Sequence, residues 1–208
     1  MNIAILGTGR VGGTLGMRWA NRGHRVTYGV RDPESAEVRE VLSKSPQATA
    51  TTLRAAVEAN AVVLLAFPWH VTQEVLKSLG DLAGKILLDC INPISADLQR
   101  LEFGFTTSAA EQIAVWAPGA KVVKAFNTVS NASMANPSFG GEKAAMFYCG
   151  DDAEAKAVVR SLTEDVGLEP VDAGPLQQAR HLEPLAHLYI HLAVFGGWGD
   201  CAFRMVKR

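Results

Sequence analysis

The feature that most constrains this fold is a glycine-rich run near the start of the chain. Asn2 to Leu6 is a short apolar stretch typical of a buried parallel strand, and it leads directly into Gly7 to Gly12 (GTGRVG), a complete G-x-G-x-x-G. The apolar spacing that follows predicts a helix. Between a strand and a helix, the glycines allow a tight turn, a close approach of the backbone to a pyrophosphate, and close helix–strand packing. The stretch therefore predicts a dinucleotide-binding unit with the diphosphate at the helix N-terminus.

The residue after the second predicted strand indicates which dinucleotide binds. An NAD enzyme normally has Asp or Glu at the tip of this strand, where the side chain holds the ribose hydroxyls. Here His24 to Val30 is followed by Arg31, and a guanidinium can pair with a 2′-phosphate. Asp32 is the alternative, because a strand ending one residue later would point it at the ribose. The pair Asp32-Pro33 is more typical of a helix N-cap followed by an N1 proline, so we predict NADP rather than NAD.

Composition indicates a soluble globular protein and excludes several classes of function. The chain has 208 residues with a formal net charge of −1, which gives no electrostatic basis for binding nucleic acid or an acidic membrane. Its three cysteines have no short spacing, so neither a disulfide framework nor a zinc site is expected. No signal peptide precedes the first strand, and Leu185 to Trp198 is too short to span a bilayer. We therefore expect a cytoplasmic protein without a metal site.

The alternation of predicted strands and helices predicts an α/β fold: a Rossmann-type, doubly wound, mainly parallel sheet with a small C-terminal helical extension. We expect an NADP-binding Rossmann domain at residues 1–135 and a small C-terminal α/β part at 140–208. A polar loop is expected at 128–142, and helix from Gln177 to the end. Residues 185–195 are apolar almost all round and must be covered, either by the same helix of a second subunit in a homodimer or by the chain's own sheet.

Side chains at the ends of the later strands are candidates for the nicotinamide end of the site, because ligands of open α/β sheets lie at the carboxyl ends of the strands. Phe67-Pro68-Trp69 offers a rigid edge and a flat apolar face, and Asn92 and Asn127 can hydrogen-bond a carboxamide. Ordinary turn chemistry is the alternative for both asparagines. His70 is a candidate proton donor, although a histidine at this position is more often a surface residue.

These motifs resemble those of the F420H2:NADP oxidoreductases, a family of NADPH-dependent reductases of the deazaflavin coenzyme F420, in their bacterial form. The resemblance rests on the glycine run, the Gly29-Val30-Arg31 strand end, Phe67 to His70, the helix start at Ser108 to Glu111, Cys149 to Asp152, and Val171 to Leu176. It implies a dimer and direct hydride transfer between stacked nicotinamide and deazaflavin rings. It also implies that Thr8, Arg10 and Arg31 hold NADP and that Pro68-Trp69 lies near the nicotinamide.

The sequence thus predicts an NADPH-dependent oxidoreductase that transfers a hydride between NADP(H) and a planar acceptor, either F420 or a flavin. Two alternatives remain: a non-catalytic NADPH-binding or redox-sensing module, and a reductase of a small imine, carbonyl or ferric substrate. The residues predicted to bind the cofactor are Gly7, Thr8, Gly9, Arg10, Val11, Gly12, Val30, Arg31, Phe67, Pro68, Trp69, Asn92 and Asn127.

Overall fold

The computed structural model describes the whole chain, residues 1–208. The strands are β1 (Asn2–Leu6), β2 (Arg25–Val30), β3 (Thr49–Thr52), β4 (Val62–Leu65), β5 (Ile86–Asp89), β6 (Lys121–Lys124), β7 (Ser138–Phe139), β8 (Glu142–Lys143), β9 (Ala145–Gly150) and β10 (Glu169–Asp172). The helices are α1 (Arg10–Ala20), α2 (Ala36–Lys44), α3 (Leu53–Ala59), α4 (Thr72–Ser78), α5 (Ala109–Trp116), α6 (Asn131–Ala135), α7 (Ala153–Val166) and α8 (Ala179–Ile190).

The central sheet confirms the predicted doubly wound, mainly parallel architecture. Eight strands pair in the order β10-β9-β6-β5-β4-β1-β2-β3, and the six strands β1 to β6 are all parallel to one another. Chain order reverses at β1, where Leu6 is paired with Gly29 on one side and Leu65 on the other. This is the topological switch point at which such sheets bind ligands.

Alternating side chains of the strands build one core layer on each face of the sheet. Ile3 and Ile5 pack with α1 and α7 on one face, and Ala4 and Leu6 pack with α3, α4 and α5 on the other. Because β1 is covered on both faces, it is buried and apolar from Ile3 to Leu6, as expected for a central parallel strand. The glycine turn that follows β1 is therefore held by a rigid centre.

The last two strands of the sheet come from the C-terminal part of the chain. β9 joins the edge of β6 in antiparallel orientation, with Lys124 opposite Cys149, and β10 then pairs parallel to β9. A single sheet therefore continues through both predicted parts. The division into 1–135 and 140–208 stays a prediction.

The far end of α1 is bound to the C-terminal turn of α7. The Arg18 guanidinium donates to the Val166 carbonyl at 2.6 Å, and the Trp19 indole donates to the Leu162 carbonyl at 3.0 Å. Just beyond α1, the His24 ring lies 2.9 Å from the Asp165 carboxylate. These contacts join residues that are 141 to 148 positions apart in the sequence. The helix that begins at the glycine turn is thus anchored by the C-terminal part of the chain.

Two sequence predictions of irregular and helical regions were wrong. The expected loop at 128–142 contains α6, whose N-cap Ser130 accepts from the Ser133 amide, and most of the β7–β8 hairpin. The helix expected from Gln177 to the chain end begins as a 3₁₀ turn, continues as α8, and stops after a π turn at His191–Phe195. Gly197 then takes a positive φ of 76°, a conformation that favours glycine and ends the helical path.

The segment after Gly197 folds back onto the sheet edge rather than forming helix. The Phe203 carbonyl accepts from the Ala145 amide at 2.8 Å, and the Asp200 carboxylate accepts from the Ser130 and Ser133 hydroxyls. Four large apolar side chains at the end of α8 and in the residues just after it stay exposed to solvent: Leu188, Val194, Phe195 and Trp198. None of the helices is both long enough and apolar enough to cross a bilayer.

Candidate functional site

The turn between β1 and α1 has the geometry that a diphosphate requires. Gly7 takes a φ of +115°, and a Cβ there would collide with the Ala66 carbonyl. A Cβ at Gly12 would collide with the Gly7 carbonyl and would lie 3.1 Å from the Ile5 Cγ2 atom. The glycines are therefore required for the turn itself and for its contact with the sheet.

The first turn of α1 leaves its amide hydrogens available. Its N-cap is Gly9, which provides no capping side chain, and no acidic residue lies in the first turn. Unsatisfied amides and the positive end of the helix dipole together favour an anion at this position. The Arg10 guanidinium is exposed there and makes no hydrogen bond or ion pair within the chain. The arrangement fits the diphosphate of a dinucleotide.

The end of β2 presents Arg31 to solvent. Val30 is buried in the core, and Arg31, the next residue, is exposed and has no partner in the chain. The prediction that Asp32 caps a helix was wrong, because α2 begins four residues later with Ser35 as its N-cap. The Asp32 carboxylate instead accepts from the Glu34 amide at 3.0 Å and closes a local turn. Because the Asp32 carboxylate is already hydrogen-bonded in this turn, Arg31 rather than Asp32 is the better candidate to contact the adenosine.

A groove of about 480 Å³ runs between the glycine turn and α2. Thr8, Gly9 and Arg10 line one side, and Glu37, Glu40, Val41 and Lys44 line the other. Across the groove the Thr8 hydroxyl donates to the Glu37 carboxylate at 3.1 Å. The sequence reasoning missed Glu37, although an acidic residue in the first turn of α2 is visible in the sequence.

The Phe67-Pro68-Trp69 segment leads from β4 into a 3₁₀ turn at Trp69–Val71. Trp69 stacks on Trp116 with ring centroids 5.4 Å apart, and it meets Phe103 edge-on at 5.2 Å. Such aromatic contacts fix the ring orientation. Pro68 is exposed beside it, and His70 is exposed without a hydrogen-bonding partner. The structure therefore places a rigid apolar edge at the end of β4, with His70 on the surface.

The structure brings the two predicted asparagines together from 35 positions apart. Asn127 Nδ2 donates to Asn92 Oδ1 at 3.1 Å and to the Leu182 carbonyl at 3.0 Å, and Asn92 Nδ2 donates to the Asn127 carbonyl at 3.2 Å. The Asn127 Oδ1 atom is buried and accepts no hydrogen bond within the chain, and the same is true of the Thr128 hydroxyl oxygen. A buried acceptor without a donor is costly, so this site is suited to a ligand that donates an N–H.

A buried ion cluster beneath these asparagines was missed by the sequence reasoning. Lys124, at the end of β6, lies 2.7 Å from the Asp89 carboxylate and 2.8 Å from the Glu183 carboxylate, and all three side chains are fully buried. Burial alone would lower the pKa of Lys124, but the two carboxylates outweigh it and raise that pKa. Burial raises the pKa of Glu183, although Lys124 opposes the change. Glu183 also accepts from the Ala109 and Ala110 amides at the start of α5.

The cluster connects α8 to the strand ends. Lys124 also donates to the Ile91 carbonyl, immediately before Asn92, and Glu183 follows the Leu182 carbonyl that Asn127 contacts. The only sequence signal was a charged residue at the end of each of two apolar strands, KVVK and ILLD. The parallel strands bring all these ends to one edge of the sheet: the glycine turn and Arg31 follow β1 and β2, and the aromatic edge, the asparagine pair and the buried ion cluster lie at β4 to β6.

Comparison with known proteins identifies the relatives of this chain. Residues 2–93 match the family described as NADP oxidoreductase coenzyme F420-dependent. The F420-dependent NADP reductase of Methanothermobacter marburgensis is 30% identical over 210 residues, which cover 93% of this chain and 93% of that protein. A crystal structure from Arthrobacter sp. FB24, provisionally described as an F420-dependent NADP-reductase, superposes with a TM-score of 0.88 at 33% identity and covers 99% of both chains.

A second kind of relative is much longer than this chain. Metalloreductase STEAP3 of Rattus norvegicus is 32% identical over 185 residues, which cover 88% of this chain but only 36% of the relative. The full-length match to the F420-dependent NADP reductase, by contrast, extends over both proteins almost end to end. The chain belongs to the family of coenzyme F420-dependent NADP oxidoreductases.

Proposed function

We propose that this enzyme transfers a hydride between NADP(H) and a planar redox acceptor, which is the deazaflavin F420 or a flavin. The observation that carries the proposal is the uncapped first turn of α1 next to the unpaired Arg31 at the end of β2. The first fits a diphosphate and the second fits a 2′-phosphate. Membership of the family supports the same cofactor.

The residues of the site have separate tasks in this proposal. The α1 amides and Arg10 bind the diphosphate, Thr8 and Arg31 bind near the adenosine ribose, and the orphaned Asn127 Oδ1 orients the carboxamide. NADPH supplies the hydride when it is bound. Transfer between two flat rings requires close stacking and exclusion of water more than an acid or a base. The aromatic edge at Trp69 and the neutral asparagine pair match that requirement better than a proton-transfer site would.

The full set of residues assigned to the cofactor is the one predicted from the sequence. Val30 and Val11 act through packing, since Val30 is in the core and Val11 packs against it. His70 stays a candidate proton donor, because it is exposed near the same strand ends.

Acceptor assays test the proposed reaction directly. NADPH is mixed with the protein and one of F420, FMN, a cyclic imine or a ferric chelate, and the loss of nicotinamide absorbance is followed. NADPH oxidation is expected to be much faster with F420 or FMN than with the cyclic imine or the ferric chelate. Tight NADPH binding without oxidation by any acceptor would instead favour a redox-sensing module, and fastest turnover with the ferric chelate would favour a metalloreductase.

Substitution of Arg31 tests the cofactor assignment. Arg31→Asp should weaken NADPH binding by about 1.5–3 kcal/mol, the range for a hydrogen bond to a charged group, and should leave NADH binding nearly unchanged. Arg25→Asp is the matched control, because Arg25 is an exposed arginine at the opposite end of the same strand. An unchanged ratio of NADPH to NADH affinity in Arg31→Asp would contradict the role given to Arg31.

We further propose a homodimer formed through the C-terminal end of α8. Leu188 and Trp198 are 49% and 72% exposed, and Val194 and Phe195, which lie between them in the sequence, are also exposed, so this segment offers large apolar side chains to a second subunit. Trp198→Glu should shift the mass measured by light scattering from dimer to monomer, whereas Val115→Glu, at an exposed valine on α5, should not. A monomeric wild-type protein would refute this proposal.

A cytoplasmic location is also proposed, since the three cysteines are free.

A further inference from the structure

Glu37 lies in the phosphate end of the groove without a cationic partner. Its carboxylate accepts from the neutral Thr8 hydroxyl at 3.1 Å and forms no ion pair. Glu40, the other acidic residue that lines the groove, is 2.6 Å from the Lys44 ammonium and is neutralised by it. Glu37 is therefore the uncompensated negative charge among the groups that line this groove.

The position of Glu37 matters because of what the neighbouring residues are expected to bind. Thr8 is part of the glycine turn, and the turn is joined to β2 by a hydrogen bond from the Gly7 amide to the Gly29 carbonyl at 3.2 Å. Arg31 is two residues beyond Gly29. Thr8 and Arg31 are both proposed to bind near the adenosine ribose, and Glu37 is hydrogen-bonded to Thr8, so Glu37 is expected close to the same end of the nucleotide.

We propose that Glu37 is a specificity-determining residue. Its charge makes the preference of this enzyme for NADP(H) over NAD(H) smaller than it would be without Glu37. The inference rests on the proposed function, because it requires the nucleotide to bind in this groove. A 2′-phosphate carries a charge of about −1.5 to −2 at neutral pH, so a carboxylate beside it is repulsive. NADH has a hydroxyl at the same position, and a carboxylate accepts its hydrogen bond.

Arg31 and Glu37 thus act in opposite directions on the same group of the nucleotide. Arg31 attracts the 2′-phosphate, and Glu37 reduces that attraction while it holds Thr8 in the free protein. Coulomb repulsion between exposed groups several ångströms apart is modest, which corresponds to an effect of about three- to tenfold on the dissociation constant. The effect should diminish with added salt, because both groups face solvent.

Nucleotide titrations of charge-neutral variants test the proposal. NADPH and NADH are titrated separately into wild-type protein, Glu37→Gln and Glu34→Gln, at low and at high salt. Glu34 is the matched control, because it is an exposed glutamate three residues away that does not line the groove. Glu37→Gln should tighten NADPH by about three- to tenfold at low salt and by less at high salt, and it should not tighten NADH, whose hydroxyl loses a charged acceptor.

Each other outcome has a distinct meaning. A ratio of NADPH to NADH affinity in Glu37→Gln that stays within about twofold of wild type would overturn the inference. An equal increase in NADPH affinity in Glu34→Gln would also overturn it. The effect would then come from the overall negative charge of the stretch after β2 and not from the position of Glu37. Failure of both nucleotides to bind the wild-type protein would refute the proposed function itself, and NADPH binding with an unchanged ratio would refute only the role of Glu37.

Discussion

Replacement of Lys124 by methionine tests the buried cluster that connects β5, β6 and α8. The substitution keeps most of the side-chain volume but leaves the Asp89 and Glu183 carboxylates fully buried without their cation. Removal of one partner from a buried ion pair costs about 3–5 kcal/mol. An ordinary domain has a free energy of unfolding of about 5–15 kcal/mol, so Lys124→Met should lose a large part of its stability at neutral pH.

The loss should depend on pH in a defined direction. Burial already raises the pKa of Glu183, and removal of Lys124 removes the interaction that opposes this increase. A carboxyl group whose pKa is higher in the folded protein contributes stability below its unfolded pKa, and that contribution is lost as the pH rises through the folded pKa. The difference between wild type and Lys124→Met should therefore be largest above pH 7 and should shrink as the pH falls.

Urea unfolding followed by circular dichroism at several pH values measures both effects. The slope of free energy against urea should stay the same while the midpoint falls. Lys121→Met is the control: it is the same substitution at the other end of β6, where the lysine pairs with Asp152 and Glu154 at the surface, and it should change stability far less. The reasoning would be refuted if Lys124→Met lost less than about 1 kcal/mol of unfolding free energy at pH 7. It would also be refuted if the difference in unfolding free energy between wild type and Lys124→Met did not change with pH.

Three further substitutions or reactions probe single contacts. Gly12→Ala should cost about 1–3 kcal/mol of stability through overpacking and should weaken NADPH binding in titrations, because the new Cβ meets the Gly7 carbonyl. Trp19→Phe should lower the free energy of unfolding by about 1–3 kcal/mol in a urea titration, since the buried Leu162 carbonyl loses its 3.0 Å hydrogen bond. Burial raises the pKa of Cys149 to about 12, so this thiol should react with a disulfide reagent at pH 8 only after unfolding; fast reaction in the native protein would contradict this assignment.

The parts of the fold that sequence reasoning could predict are those encoded by local patterns. The β1–glycine–α1 unit and the strand end at Arg31 are specified within about 30 residues, so periodicity and turn chemistry were sufficient. The doubly wound fold followed from the alternation of such units and is confirmed by the sheet order. Family membership, inferred from a resemblance in short motifs, is confirmed by the comparisons over nearly the whole chain.

The missed features depend on residues far apart in the sequence or on competing local signals. Lys124 and Glu183 are 59 positions apart, and neither carries a local signal that it is buried and paired. The end of α8 was missed because apolar residues continue to Trp198, whereas Gly197 adopts a positive φ and turns the chain. α6 was missed because its cap, Ser130, lies in a polar segment that also reads as a loop.

The attachment of α1 to the last turn of α7 has a consequence for biosynthesis. Arg18 and the Val166 carbonyl are separated by 148 residues, and ribosomes add roughly 5–20 residues per second. Roughly 7–30 s therefore pass between the translation of Arg18 in α1 and the translation of Val166, its partner in α7. During that interval the nascent N-terminal unit has an unfinished apolar face around Trp19, which makes it a substrate for chaperones until the C-terminal part emerges.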